Sequence, residues 1–395
     1  MLNRFMRGIL EHFVRVYFRK NNPVLVAVVG SVGKTSLKSA LGTILSESFR
    51  VRTSVGNQND SLLVPFGILG VKYPENRKEL HSVFMWIGIL REFWRVAHSK
   101  DNIQIIVQEL ATDHVGDIAH FGKYLRADIA VVTAITPEHM EYFEDLDAVA
   151  HEELEIFRFA RKVVVNTDDV DGKYLAGLDF VPYAQAKIEN PRILGEHSLK
   201  SVRGAMTVAK ILDMKDGKIR DGVAKIEAVN GRMKLLDGVR EMEIIDDTYN
   251  SSPEAVRAAL LTLYDFKAPS RIAVLGNMNE LGEKSGEYHC GIAEFLDRSK
   301  LDFLIILGKD IERYLAPKAR EILGSKKVMV VKNPLQAADE VLRVAKDGAV
   351  VLLKGSQNGV FLEEAVKRLL KNPKDAEKLV RQSRDWMREK GKALL

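Results

Sequence analysis

One cysteine, Cys290, is all that this 395-residue sequence contains. No internal disulfide can form, and a reducing compartment is expected. No apolar run reaches the roughly 18–20 residues that a bilayer-spanning helix needs, so no transmembrane span is expected. The N-terminus has no continuous apolar stretch before a small-residue cleavage site, which argues against a signal peptide. A surplus of one charge is also missing. Lys and Arg number 59 against 54 Asp and Glu, a formal +5, too small and diffuse to argue for a nucleic-acid partner. Gly-x-Gly-x-x-Gly is absent too, so no dinucleotide is implied. What remains is the composition of a cytoplasmic globular protein, long enough for two or three cores.

One stretch organises the rest. The apolar run Val24–Val29 is followed by Gly30-Ser31-Val32-Gly33-Lys34-Thr35-Ser36 and then by the amphipathic segment Leu37–Ser48. Strand, glycine loop and helix form the arrangement of a phosphate-gripping P-loop. Gly30 and Gly33 let successive backbone N–H groups turn toward phosphate oxygens. Lys34 reaches the β/γ-phosphates, Thr35 offers its hydroxyl to Mg²⁺, and the helix N-terminus favours the anion. The longer Walker pattern would need a glycine where Ala27 stands, so the match is to the shorter Gly-Ser-x-Gly-Lys-Thr-Ser form.

Around this loop the chain divides into an amphipathic N-terminal helix (1–22), a P-loop ATP-binding domain (23–229), a Rossmann-like domain (230–370) and a charged helical tail (371–395). In 1–20 the stripe is Leu2, Phe5, Met6, Ile9, Leu10, Phe13, Val14 and Tyr17. A second stripe, Leu80, Val83, Phe84, Ile87, Leu90, Trp94 and Ala97, widened by Trp86 and Phe93, is expected to face the core. Such helices pack on the body of a protein or, being basic and aromatic, rest on anionic lipid; residues 1–20 and 80–97 are therefore a candidate membrane or partner surface. Ile103–Val107, Ile129–Thr133 and Val163–Val165 read as strands, and Glu109, His139 and Asp169 lie just past their ends, where ligand groups belong. From residue 230 the pattern restarts, with strands at Ile244–Asp246, Ile272–Leu275, Phe303–Leu307, Val328–Val331 and Val350–Leu353. The fold class is α/β, a P-loop domain on a mostly parallel sheet followed by a Rossmann-like domain. The tail has eight Lys/Arg against four Asp/Glu and reads as a solvated helix anchored by Trp386.

Taken in order, these segments resemble the Mur ligase family, enzymes that form amide bonds in bacterial cell-wall precursors. The matching pieces are the P-loop, Gly56-Asn57-Gln58-Asn59, Glu109, Pro137-Glu138-His139, Gly231-Arg232, Asp246-Asp247-Thr248-Tyr249-Asn250-Ser251-Ser252-Pro253, Gly276-Asn277-Met278-Asn279-Glu280-Leu281-Gly282 and Lys354-Gly355-Ser356. The resemblance is to the branch that joins D-alanyl-D-alanine to a UDP-N-acetylmuramoyl-tripeptide. It implies ATP and Mg²⁺ as cofactors and an acyl-phosphate mechanism, which needs positioning and charge neutralisation more than covalent help. It also implies roles. Thr35, Glu109 and His139 would hold metal, and Arg232 the γ-phosphate. Asp246, Tyr249 and Asn250 would meet the adenosine, while Asn57, Asn59, Asn277, Glu280, Lys354 and Ser356 would face the substrates.

Four departures stand out. Glu153 occupies the place of the family's carbamylated lysine and would supply a metal-binding carboxylate directly. Ala134 replaces an asparagine ahead of the metal histidine. Ser252 and Asn277 replace an Asn and an Asp. The first strand begins at residue 24, leaving no room ahead of it for the separate UDP-sugar domain that the resemblance implies. Two other readings therefore stand beside the first: a related ligase with another acceptor or amine (glutamyl or amidating), and a nucleotide-dependent binding protein without turnover.

Overall fold

A computed structural model describes residues 2–54, 56, 58–73, 83–137, 142–188, 190, 192–357 and 359–393. The chain divides into two compact units. Among the described residues, the first unit takes those within 1–137, 142–190 and 200–226, and the second those within 191–199 and 227–395.

The first unit is built on strands β1 (Val24–Val29), β2 (Val51–Thr53), β3 (Ile105–Glu109), β4 (Ala127–Val132), β5 (Ala160–Val165) and β6 (Val181–Pro182). Their order is β2-β3-β1-β4-β5-β6, and every pairing is parallel. The central strands are runs of Val, Ile and Ala because a parallel sheet is covered on both faces. The chain leaves β1 toward the β2 side and β4 toward the β5 side. The C-terminal end of β1 therefore lies where the winding reverses, the usual crevice for a ligand.

Helix α1 (Leu2–Asn21) is part of this unit's core. Met6, Leu10, Val14 and Tyr17 are buried, and the Tyr17 hydroxyl donates to Asp101 at 2.7 Å. Arg52 pairs with the same carboxylate and donates to Tyr17 Oη at 3.2 Å. Burial, reinforced by the bond to Asp101, pushes the Tyr17 phenol up to about 12. The neighbouring helix Val83–His98 keeps Trp86, Phe93 and Ala97 of the expected face and corrects it at Ile87 and Trp94. Trp86, Ile89, Phe93 and Ala97 are buried, whereas Ile87 and Trp94 are 58% and 56% exposed. Apolar residues encircle this helix, so periodicity alone leaves its phase open. The edge-on packing of Phe93 on Phe66, with centroids 4.8 Å apart, and its contact with Phe13 select the buried face. Leu80 lies outside the described residues. No helix among the described residues is long and apolar enough to cross a membrane.

The second unit carries β7 (Lys234–Asp237), β8 (Glu243–Asp247), β9 (Arg271–Gly276), β10 (Phe303–Leu307), β11 (Val328–Val331) and β12 (Val350–Lys354), in the order β11-β10-β9-β12-β8-β7. Only β7 runs antiparallel to its neighbour. Alternate strand residues feed two cores, one on each face. Ala273, Leu275, Leu304 and Ile306 join one, while Ile272, Val274, Ile305 and Leu353 join the other. Ser252 caps the helix Pro253–Asp265 by accepting from the Ala255 amide, with Pro253 at its first turn.

The tail helix is largely exposed, as its charge suggested, and Trp386 meets Phe361 with ring centroids 6.4 Å apart; one basic residue departs from that pattern. Lys390, in the helix Arg384–Ala393, is 1% exposed and pairs with Glu363 at 2.9 Å and Glu364 at 2.6 Å. A long basic side chain is buried here because two carboxylates meet it.

Candidate active site

In the first unit the loop after β1 has the backbone the glycines were chosen for. Gly30 and Gly33 sit at φ 117° and 88°. A Cβ on Gly30 would come within 2.3 Å of Thr133 Oγ1, so glycine is required by space as well as by conformation. Ser31 ties the loop to the end of β4, its amide donating to Ala134 O at 2.9 Å and its hydroxyl accepting from Thr136 N at 3.1 Å. At the Ala134 departure a backbone carbonyl therefore does the holding. Helix α2 (Lys34–Leu45) starts with no side-chain cap, leaving its first-turn N–H groups for an anion. Lys34 Nζ lies on the loop, donating to Gly30 O and to Ser31 O at 2.8 Å. Thr35 and Ser36 follow in the first turn.

Glu109 ends β3 beside that turn. The Thr35 hydroxyl donates to its carboxylate at 3.2 Å, and Asn59 Nδ2 donates at 3.0 Å. Asn59, expected to face substrate, is thus brought to the expected metal carboxylate. Lys38 completes the group. It lies 3.3 Å from Glu109 Oε2, donates to Gly56 O at 2.8 Å and is 5% exposed. Lys38 belongs to none of the sequence motifs, although a lysine among Leu37, Ala40 and Leu41 on a buried stripe signals a paired charge. The Thr35 hydroxyl and Glu109 carboxylate oxygens are the hard donors Mg²⁺ takes. That ion needs only one or two protein ligands when phosphates and water supply the rest, so the group fits it. Among the described residues no three His, Cys, Asp or Glu side chains converge. His139 and Asn57 lie outside the described residues.

Glu153, at the end of the helix Leu146–Leu154, is buried and accepts the Gly30 amide at 2.7 Å. Its neighbour Glu152 accepts the amides of Gly116 and Ile118, each at 2.7 Å. Adjacent glutamates thus brace two different loops.

The second unit has its own cluster at the end of β8. Asp247 accepts from Met233 N at 3.2 Å and pairs with Lys354 at 2.6 Å. Lys354, 2% exposed, also donates to Asn250 O at 3.0 Å. Burial lowers its ammonium pKa, against the pull of Asp247. The Ser356 hydroxyl donates to Ser251 O at 3.2 Å and accepts from Asn279 N at 2.9 Å. Both residues, expected to face substrate, have internal partners. Asn277 accepts from Ile311 N at 3.0 Å, at the start of the helix Lys309–Tyr314, and Glu280 holds a left-handed φ of 64° in the same loop.

Asp246 is fully buried, and its Oδ1 accepts both the amide and the hydroxyl of Thr248. Its Oδ2 has no partner among the described residues, and neither do Arg232 Nε and Ser251 Oγ. Buried polar atoms of this kind need a partner from water, an ion or a ligand. Burial pushes the Asp246 carboxyl up to about 6. The Arg232 guanidinium stacks over the Tyr249 ring at 4.3 Å, and Tyr249 N donates to Gly231 O at 3.0 Å.

A phosphate loop at the reversal point of a parallel sheet, with a second α/β unit following in the chain, defines a P-loop nucleotide-binding protein. Two family models narrow the class: the Mur ligase middle domain matches residues 28–192, and the Mur ligase glutamate ligase domain matches 231–357. The chain belongs to the Mur ligase family. It is 23% identical over 393 residues to the UDP-N-acetylmuramoyl-tripeptide–D-alanyl-D-alanine ligase of Bacillus subtilis, covering 92% of this chain and 79% of that one. The Haemophilus influenzae ligase of the same name is 26% identical over 397 residues, covering 90% and 78%. Among solved structures, MurF from Acinetobacter baumannii superposes with a TM-score of 0.74 at 21% identity, covering 93% of this chain and 81% of that one. MurF from Thermotoga maritima, in complex with ADP, gives 0.73 at 23%, covering 94% and 84%. These structural likenesses establish a shared fold.

Proposed function

We propose that this chain is an ATP- and Mg²⁺-dependent carboxylate–amine ligase that adds D-alanyl-D-alanine to a UDP-muramoyl-tripeptide in peptidoglycan synthesis. The observation that carries the reading is the gathering of Thr35, Asn59 and Glu109 beside the Lys34 loop, in a Mur ligase family chain whose relatives bear that ligase's name. A substrate carboxylate oxygen attacks the γ-phosphorus of ATP and ADP leaves. The amine nitrogen then attacks the acyl carbon, and inorganic phosphate departs with the electron pair of the broken C–O bond. The ammonium proton passes to solvent. Lys34 holds the β/γ-phosphates and Arg232 the γ-phosphate, where a planar fork suits phosphate oxygens. Asp246, Tyr249 and Asn250 meet the adenosine. Asn57, Asn277 and Glu280 are assigned to the substrates, whereas Lys354 and Ser356 brace the 246–251 segment.

Thr35, Glu109, His139 and Glu153 are the residues we assign to Mg²⁺, which would neutralise charge on the phosphate oxygens. Glu153 takes the place of a carbamylated lysine while one of its oxygens keeps the Gly30 amide. The Glu153→Gln variant should then lose at least tenfold in turnover and need more Mg²⁺; unchanged Mg²⁺ dependence and turnover would remove this role.

Phosphate release from ATP and Mg²⁺ tests the whole reading, with UDP-MurNAc-tripeptide plus D-alanyl-D-alanine set against single amino acids and ammonia. Stimulation by the first pair is the expected result. Stimulation by another pair replaces the substrates and keeps the chemistry. Silence with ATP still bound supports a binding protein without turnover.

We further propose that α1 and the helix Val83–His98 touch an anionic lipid surface through the tips their packing leaves out. Phe5, Ile87 and Trp94 are exposed on helices that also expose Arg19, Lys20 and Arg91, the mixture that favours anionic headgroups. Deleting α1 would remove core, so the test is co-sedimentation of Phe5→Ser/Ile87→Ser/Trp94→Ser with phosphatidylglycerol vesicles. Pelleting equal to that of the parent chain would overturn this assignment.

A further inference from the structure

Beyond residue 357, where the family match ends, the tail turns back on the residues assigned to the nucleotide. Arg381 is the point of contact, and 5% of its side chain is exposed. Its Nη1 donates to Tyr249 O at 3.1 Å and its Nη2 to Thr248 O at 2.6 Å. Nε and Nη2 also hold both oxygens of Glu363, each at 2.8 Å, and Glu363 is fully buried. Burial pushes the Glu363 carboxyl up, but Arg381 and Lys390 outweigh it and hold the group below the ordinary carboxylate range. The preceding residue, Val380, stands against Gly231, where a Cβ would come within 2.8 Å of Val380 Cγ1. Gly231 has a left-handed φ of 67° and accepts the Tyr249 amide. Val380 and Arg381 therefore touch both the Gly231-Arg232 turn and the Thr248-Tyr249 segment.

We propose that Arg381 is a positioning residue for the nucleotide-facing segment Asp246–Asn250. The inference rests on the ligase reading above for what that segment binds. Thr248 and Tyr249 lie past the end of β8, beyond the sheet's ladder, so their carbonyls need partners from elsewhere. One planar guanidinium fixes both carbonyls at once, and its bidentate lock on Glu363 prevents it from turning away. Tyr249 is then held with its ring under Arg232 at 4.3 Å, and the Arg381 guanidinium lies 5.9 Å from the same ring. A buried ion pair is a poor way to stabilise a fold, because desolvation consumes most of its Coulombic gain. Its better-attested use is to fix one arrangement among several, which is the role assigned here.

Arg381→Lys keeps a cation for Glu363 but cannot span both carbonyls. Lys390→Met serves as the comparison, since it breaks the neighbouring pairs to Glu363 and Glu364 without touching residues 248 or 249. In the full chain, hydrogen exchange of residues 246–252 is measured without nucleotide, beside melting temperature, kcat and the KM for ATP. Arg381→Lys should speed exchange across 246–252 and raise the KM for ATP by about tenfold, the worth of one charge-assisted hydrogen bond, with kcat near the parent value. Lys390→Met should lower the melting temperature and leave that exchange and KM unchanged. Unaltered exchange at 246–252 in Arg381→Lys overturns the proposal. So does a KM that tracks melting temperature in both variants, because Arg381 would then be only structural. If the parent chain releases no phosphate from ATP with any of the acceptor and amine pairs, the ligase reading fails, and the exchange comparison alone decides the positioning role.

Discussion

Asp246 is costly to keep where it is. One oxygen is satisfied by Thr248, the other has no described partner, and burial raises the carboxyl to about 6. A folded-state value above the unfolded 3.8 means that the folded chain binds the extra proton more tightly. The associated stability is present below about 3.8 and is lost as pH rises through about 6, a difference of about 3 kcal/mol. Asp246→Asn should therefore flatten the fall in melting temperature between pH 5 and 7.5; a parallel fall in both proteins would contradict the raised value. The phosphate loop makes a second demand at this scale. Gly30→Ala puts a Cβ against Thr133 Oγ1 at a left-handed φ, so phosphate release should drop at least a hundredfold, while Ser36→Ala, one turn on, should stay within about threefold, given the modest worth of a single hydroxyl contact. The loop was legible in the sequence because everything it needs is local. Lys38 and Arg381 were not, because their partners lie 18 or more positions away and only folding shows that these charges are buried.

Elements differ in legibility for a related reason. The strands that lie inside the two sheets announced themselves as apolar runs, since burial on both faces leaves no alternation to misread. The edge strands β2, β6 and β7, of 3, 2 and 4 residues, are too short to carry a period in the sequence, and Pro182 in β6 is tolerated only at an edge. The helix Val83–His98 failed differently: its existence was clear, and its phase was not. Helix α1 offers a direct test of which face carries stability. Leu10 is fully buried and Phe5 is 66% exposed, five residues apart on one helix. Leu10→Ala should cost about 2–5 kcal/mol, and Phe5→Ser less than about 0.5 kcal/mol, in chemical unfolding followed by circular dichroism. Equal costs would mean that α1 does not pack as described, and the vesicle experiment with Phe5 would then lose its meaning as a surface test.

At the scale of the molecule, the order of the motifs identified more than any one of them. A glycine loop, a strand-end glutamate, Gly-Arg and Asp-Asp-x-Tyr-Asn recur in one sequence order, and the family match covers both units. Nucleotide binding can be read as stability at this scale. A ligand that binds only the folded chain stabilises it by RT ln(1 + [L]/Kd), about 2.7 kcal/mol at a hundredfold excess over Kd, or roughly 5–10 °C for a unit of about 200 residues. ATP with Mg²⁺ should therefore raise a melting transition of the parent chain by that amount. Lys34→Ala keeps the loop glycines and α2 but removes the cation assigned to the β/γ-phosphates. It should melt near the parent temperature without nucleotide and show little of the ATP shift, while ADP, with one phosphate fewer for Lys34 to hold, should separate the two proteins less. A full ATP shift in Lys34→Ala would place nucleotide binding elsewhere in the chain and would remove the phosphate loop from the mechanism.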